Sequence, residues 1–297
     1  MNKFICIDIG GTAIKYGIVQ SDGTVVKAKE TPTEASRGGK ALAKKVFELA
    51  KECKEAFPEV KGVAISSAGI VDTQNASILY ASDAIPGYAG IHFRKELADL
   101  DLPIEIENDV NCAGLSEYAD GSANGSQSAL VLTIGTGIGG CFIDQGRLHH
   151  GHTYSACEVG YMPLFGGPFQ NLAAASVMVT RVADRKQEPV EMWNGRKIFE
   201  LASQNDVICQ EEIERLCTYL GQGIAAICYI LNLEVVVLGG GIMAQEKVLR
   251  PLIEESFTKA SIPLISNATR IEFASHQNAA GMKGALVHFL SQHPELA

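Results

Sequence analysis

Residues 3–31, KFICIDIGGTAIKYGIVQSDGTVVKAKET, govern how the rest of this chain is read. FICIDI (4–9) is a short apolar run of the kind that fills a buried strand, and AIKYGIV (13–19) alternates as a half-buried strand does. Ser21-Asp22-Gly23 supplies turn chemistry before TVVKAKE. The stretch predicts a three-stranded meander with Gly10-Gly11-Thr12 turning between the first two strands. Glycines with a hydroxyl, placed after a strand that ends in the carboxylate of Asp8, let backbone N–H groups approach phosphate oxygens. Asp8 would then hold a metal ion beside them, directly or through water, with Lys15 close by in sequence. A plain β-hairpin uses the same Gly-Gly turn, so spacing alone leaves both readings open.

The theme recurs. ALVLTI (129–134) is an apolar strand, Gly135-Thr136-Gly137 its turn, and Cys141, Phe142 and Ile143 lie in a returning apolar stretch. Two such units imply two related halves. The second is not a P-loop, because no GK[ST] follows, and not a dinucleotide fingerprint, because the chain returns as a strand instead of opening a helix. EVVVL (234–238) leads into Gly239-Gly240-Gly241-Ile242. These glycines serve either a tight strand-to-helix turn or the approach of an adenosine moiety near a helix N-terminus.

Between these landmarks the period changes. Leu42, Val46, Leu49, Cys53 and Phe57 share one helical face over 38–57, and Lys61 to Ile65 is a buried strand. Residues 101–118 give a strand and then a helix, 165–171 a loop, 172–183 and 211–231 helices, and 279–291 a final helix. This alternation predicts an α/β architecture. At its strand-to-helix junction, Glu107-Asn108-Asp109-Val110-Asn111 crowds carboxylates and amides together. They would serve as helix caps, or as a catalytic base with neighbours that orient hydroxyl groups. Glu158-Val159-Gly160-Tyr161 follows His149, His150 and His152. No cysteine cluster stands at metal-ligand spacing from these histidines, so they read as loop residues, while Glu158 suits two vicinal sugar hydroxyls.

With 297 residues, 46% hydrophobic and 20% charged, the chain can build two cores without disulfide or metal staples. A net charge of -9 and a pI near 5.3 argue against a nucleic-acid partner or an anionic membrane. Eight scattered cysteines without a CxxC pair, and a strand pattern starting at once after MNK, point to a reducing cytoplasm. No window has the length and apolarity of a membrane span.

Taken in order, DIGGTAIK, SSAGIVD, ENDVNCAGLSE, LTIGTGIGGC, EVGY and VVVLGGGI resemble the ROK family of sugar kinases, over residues 4–290. That family shares the actin, hexokinase and Hsp70 ATPase fold. The resemblance implies two ribonuclease-H-like α/β domains around a cleft, a small one of residues 1–118 plus 282–297 and a large one of 119–281. It implies Mg-ATP, with phosphates at Gly10, Gly11 and Thr12 and at Gly135, Thr136 and Gly137, and with Lys15 and Thr133 beside them. Asp8 would lie near Mg²⁺ and Gly239 and Gly240 near the adenosine. Asp109 would be the general base, and Gly69, Asn108, Glu158 and Tyr161 would meet the sugar. A homodimer is implied as well.

The chain departs from the family pattern of Glu-x-Gly-His followed by a CxCGxxGCxE zinc site. Tyr161 replaces the histidine and Met162 to Asn171 contains no cysteine, so no structural zinc is expected. The Glu-x-Gly-Tyr-Met form, with Asn278-Ala-Ala-Gly281, looks most like bacterial β-glucoside kinases. Glucose, N-acetylmannosamine and fructose remain compatible acceptors. A ROK-type transcriptional regulator would need a helix-turn-helix ahead of Asp8, and an idle sugar-binding or scaffold protein would have no chemical need for Asp8, Asp109 and Glu158 together.

Overall fold

The computed structural model describes residues 1–276 and 279–297, so Asn278 of the expected β-glucoside-type stretch lies outside the described residues. The chain divides into two units. One comprises Met1–Ala119, His150–Ala156 and Asn278–Ala297, the other Asp120–His149 and Cys157–Gln277.

In the first unit the meander is β1 (Lys3–Ile9), β2 (Ala13–Gln20) and β3 (Val25–Pro32). Strand β4 (Val63–Ser67) follows, then a side hairpin of β5 (Ile70–Asp72) and β6 (Ser77–Tyr80), then β7 (Ile104–Asn108). The five-stranded sheet runs β3-β2-β1-β4-β7, with β1, β4 and β7 parallel. The apolar run of β1 has a direct physical cause, since both its faces are buried. Ile5, Ile7 and Ile9 pack with Leu42, Val46 and Ala50 of the helix Gly39–Ala56. Phe4 and Cys6 point the other way, onto Met282, Ala285 and Phe289 of the helix Ala280–Gln292.

The second unit repeats this plan. Its strands are β8 (Ser128–Ile134), β9 (Ile138–Asp144), β10 (Arg147–Leu148), a two-strand ribbon of β11 (Pro163–Leu164) and β12 (Gly167–Pro168), then β13 (Val235–Gly239) and β14 (Arg270–Phe273). The main sheet is ordered β10-β9-β8-β13-β14, again three antiparallel strands followed by two parallel ones. Two α/β units with one strand order match the two related halves read from the paired glycine turns and the ribonuclease-H-like duplication that the family resemblance implies. The helix Val207–Leu231 buries Ile213, Leu216, Leu220, Ile224 and Ile227 in a core shared with Leu130, Leu132, Val236 and Leu238.

The expected loop over 165–171 is instead the β11–β12 ribbon and the start of a helix, Phe169–Ala173. Phe169 is fully buried against the long helix, where a Cβ on Gly223 would come within 2.4 Å of its ring. Ala174, at ψ 150°, separates this turn from the next helix, Ala175–Lys186.

The C-terminal helix lies unusually close to the helix Asp109–Asp120. A Cβ on Gly284 would sit 1.7 Å from the Cys112 carbonyl oxygen. Elsewhere in a helix, Gly→Ala gains about 1 kcal/mol of propensity. Here the clash is with backbone, which cannot rotate aside, so overpacking of about 1–3 kcal/mol or more prevails. Gly284→Ala is expected to lower the urea midpoint of unfolding. A raised midpoint would contradict this crossing.

Candidate active site

Parallel strands offer their carboxyl ends to ligands, and the sequence-predicted residues of the first unit gather there. The register sets Asp8 beside Ser66, Ile9 beside Ser67, and Ser67 beside Asn108. Ser66 Oγ donates to Asp8 Oδ1 at 2.7 Å, and Lys15 faces Asp8 across the β1–β2 pair. Burial raises the Asp8 pKa, against the opposing pull of Ser66 and Lys15. Gly11 and Thr12 are exposed in the following turn, which is closed by Gly10 N donating to Ala13 O at 3.0 Å and by Thr33 Oγ1 donating to Gly10 O at 2.6 Å.

At the end of β7 the Glu107–Asn111 run works on two levels. Asn108 is the cap of the helix Asp109–Asp120, its Oδ1 accepting from Val110 N (2.9 Å) and Asn111 N (3.0 Å). Its Nδ2 donates to Gly69 O at 2.9 Å and to Asp109 Oδ1 at 3.1 Å. Asp109, the first helical residue, is half-buried and also accepts from Val110 N at 2.9 Å. A carboxylate suits the positive end of a helix. The cap reading and the functional reading therefore coexist, with Asn108 capping and Asp109 presented beside it. Gly69 has φ +99°, and a Cβ there would meet Tyr80 O at 2.6 Å, so glycine is required.

Behind these residues Glu107 is fully buried. Its Oε1 accepts from Asn108 N (2.7 Å) and Asn111 Nδ2 (3.0 Å), and its Oε2 lies 2.6 Å from His150 Nε2. His288 Nδ1 is 3.6 Å from that oxygen, and burial pushes the His288 pKa down. Burial disfavours the Glu107 charge, yet the His150 hydrogen bond, the two histidines and Asn111 hold its pKa below the usual carboxylate range. The same hydrogen bond raises that of His150 against its burial. His150 is thus a structural partner of Glu107, whereas His149 edges onto the Phe142 ring and His152 is exposed.

In the second unit, Thr133 pairs with Gly239 in the register that Asp8 shares with Ser66. Gly240, at φ +109°, would drive a Cβ to 2.1 Å from Ile134 O, so the Gly239–Gly240 run abuts the end of β8. The turn after β8 is tied down by Gly135 N donating to Gly137 O (2.9 Å) and Ser176 Oγ donating to Thr136 O (2.6 Å). The 158–161 segment packs on β9, since a Cβ on Gly160 would lie 2.3 Å from Ile138 O and 2.8 Å from Gln170 Oε1. Gln170 Oε1 would equally meet a Cβ on Gly137, also at 2.8 Å. One side-chain amide thus lies close against both the glycine turn and the Glu158 segment. Glu158 is exposed as a residue, with its carboxyl partly covered and its pKa raised by that burial. Tyr161 is 64% exposed.

Among the described residues no group of three or more His, Cys, Asp and Glu side chains could hold a metal ion. Asp8 alone nevertheless suits Mg²⁺, which keeps several waters and takes one or two carboxylates beside substrate phosphates.

The ROK family model matches residues 4–292. The chain belongs to the ROK family. An uncharacterised protein of Clostridium perfringens (strain 13 / Type A) is 45% identical over 290 residues, covering 97% of this chain and 98% of that protein. A β-glucoside kinase of Listeria monocytogenes serovar 1/2a is 31% identical over 301 residues, with 98% of each covered. Among solved structures, a ROK family protein from Streptococcus pneumoniae TIGR4 in complex with sucrose matches with a TM-score of 0.86 at 30% identity, over 99% of both chains.

Several residues of this ROK chain escape sequence reasoning. A Cβ on Gly281 would come within 2.3 Å of the Asp8 carboxyl, so the first turn of the C-terminal helix closes on that group. Thr33, His150 and Gln170 carry no motif of their own, and Ser66, though inside SSAGIVD, is tied to Asp8 only by the pairing of distant segments. Tyr88, with Tyr154 and Tyr161 an aromatic candidate for the acceptor that sequence alone does not place, is buried with its hydroxyl 2.6 Å from Ser67 Oγ.

The opposite shifts of Glu107 and His150 define a pH window. The lowered Glu107 pKa stabilises the fold above its unfolded value of about 4.3, and this is lost as pH falls through the folded value. The raised His150 pKa stabilises below about 6.5, and this is lost as pH rises through the folded value. The Tm difference between wild type and His150→Gln is expected to be largest between these limits and to shrink on both sides. A pH-independent difference would refute the pairing.

Proposed function

We propose that this ROK-family chain is an ATP-dependent carbohydrate kinase that moves the γ-phosphoryl group onto a sugar hydroxyl, with Asp109 as general base. The observation that carries this reading is the Asn108–Asp109 junction. A half-buried carboxylate stands at a helix start, on a rigid strand end, beside an amide that is itself fixed to Gly69. A base that must meet one hydroxyl benefits from this preorganisation.

In this reading the sugar hydroxyl gives its proton to an Asp109 oxygen as it attacks the γ-phosphorus, and the bond to the β,γ-bridging oxygen breaks to release ADP. Asn108 and Gly69 orient the sugar from the same side. Glu158 accepts from two vicinal hydroxyls, a role supported by its carboxylate having no hydrogen-bond donor among the described residues. Backbone N–H groups of Gly10, Gly11 and Thr12 and of Gly135, Thr136 and Gly137 meet phosphate oxygens, with Lys15 and Thr133 beside them. Gly239 and Gly240 leave bare backbone for the adenosine. Asp8 would hold Mg²⁺, directly or through water, and the ion would supply positive charge against the phosphoryl oxygens. Positioning and electrostatics supply the larger part of the acceleration.

For the acceptor we favour a β-glucoside. Tyr161 and Met162 in place of the zinc-linked histidine support it, as does the name of the Listeria relative. A reducing cytoplasm suits the eight free cysteines, seven of them buried.

Asp109→Asn is expected to lower kcat by about 10²–10⁴-fold, the usual worth of general-base assistance, while sugar affinity changes little. An ADP-release assay with Mg-ATP over cellobiose, glucose, N-acetylmannosamine and fructose measures both this loss and the acceptor. Near-wild-type turnover in Asp109→Asn would remove it from the role.

A further inference from the structure

We propose that residues 150–156 form an acceptor-positioning strap, anchored by His150 at one end and Tyr154 at the other. The inference rests on the kinase reading of Asp109.

The segment is assigned to the first unit, although the residues on either side of it, His149 and Cys157, belong to the second. Its backbone takes a costly course. Tyr154 has φ 59°, a left-handed setting that non-glycine residues adopt only when their surroundings over-determine it. Cys157, just beyond, has φ 64°. Ala156 N donates to His150 O at 3.1 Å and closes the segment into a loop, and the His150 and Tyr154 rings meet edge to face at 5.8 Å.

Each anchor grips a different wall of the Gly69–Asn108 contact. His150 lies 2.6 Å from Glu107 Oε2, and the other oxygen of that carboxylate holds Asn108 N and Asn111 Nδ2. Glu107 has no solvent to turn to, so its orientation follows from these partners, and the Asn108 peptide follows Glu107. Tyr154 packs its ring on His150, and Asp72, at the end of β5, the strand that begins directly after Gly69, has its pKa held low against burial by Asn75 and, to a lesser degree, by the Tyr154 phenol. Asp72 is itself fixed by Asn75 Nδ2 at 2.7 Å and Asn75 N at 3.0 Å. The strap therefore holds the Asn108 peptide through Glu107 at one anchor and faces Asp72, three residues after Gly69, at the other. His150 and Tyr154 are positioning residues: they act on Glu107 and Asp72, which lie behind the groups that meet the sugar.

The test uses the full chain and steady-state kinetics with the acceptor and ATP varied separately. Misplacing a reacting group by about 1 Å can cost 10²-fold. His150→Ala is accordingly expected to raise the acceptor KM about tenfold, with the ATP KM changed less than twofold. His150→Gln, which keeps an N–H donor for Glu107, is expected to recover most of that loss. Tyr154→Phe, which removes one oxygen, is expected to raise the acceptor KM threefold or more and decides the matter if His150→Ala does not fold. An acceptor KM changed less than threefold in the variant that folds, or acceptor and ATP KM rising together, overturns the strap. Wild-type chain that turns over no sugar sinks the kinase reading instead. The same thresholds then apply to the cellobiose Kd from calorimetry, and absence of sugar binding removes both.

Discussion

A strand buried on both faces has room for polar side chains only at its ends, and this constraint organises both units. In β1 the isoleucines fill one core while Phe4 and Cys6 fill another, which leaves Asp8, near the carboxyl end, as the strand's charged group at the site. Strand β4 obeys the same rule and delivers Ser66 and Ser67 to the edge where β7 ends on Asn108. In the second unit β8 and β13 end on Thr133 and Gly239. The chemistry collects where burial stops, because a charge placed mid-strand would have to be desolvated without a partner.

Glu107 is the exception that this rule illuminates. It is a carboxylate with no access to solvent, and it persists because both oxygens are occupied: two N–H donors on one, a histidine on the other. Removing a partner from such a group costs far more than removing a surface charge. The local geometry of Asn108 and Asp109 is thereby coupled to a segment some forty residues away in sequence.

What the sequence discloses is set by the range of the interaction. The meander, the helix over 38–57, the β7-to-helix junction and the final helix are local in period and turn chemistry, and all are legible from the residues alone. The glycine turns are equally plain, because few residues tolerate what they do. Short strands such as β5 and β14 are too brief to show a period, and only pairing defines them. The 165–171 stretch reads as a loop because its glycines and proline are local signals, whereas the burial of Phe169 is not. At the candidate site, Asp8, Asn108, Asp109 and Gly69 are recoverable from motifs. The proximity of Gly281 to Asp8 and of His150 to Glu107 is not, since contacts across scores of residues leave no imprint on spacing. His150 illustrates the point: two histidines around it are surface residues, and nothing in HHGH marks which one turns inward.

The repeated strand order also bears on how such a chain changes over evolutionary time. Because the hairpin and the parallel pair recur in matching registers, a position in one half has a counterpart in an equivalent backbone setting: Asp8 with Thr133, Ser66 with Gly239. At these positions the carboxylate occurs once. A pseudo-symmetric scaffold has thus come to carry an unsymmetrical charge, with one half keeping the acid and the other keeping bare backbone. Divergence between duplicated halves can proceed by exchanging side chains at strand ends, leaving the inherited frame intact.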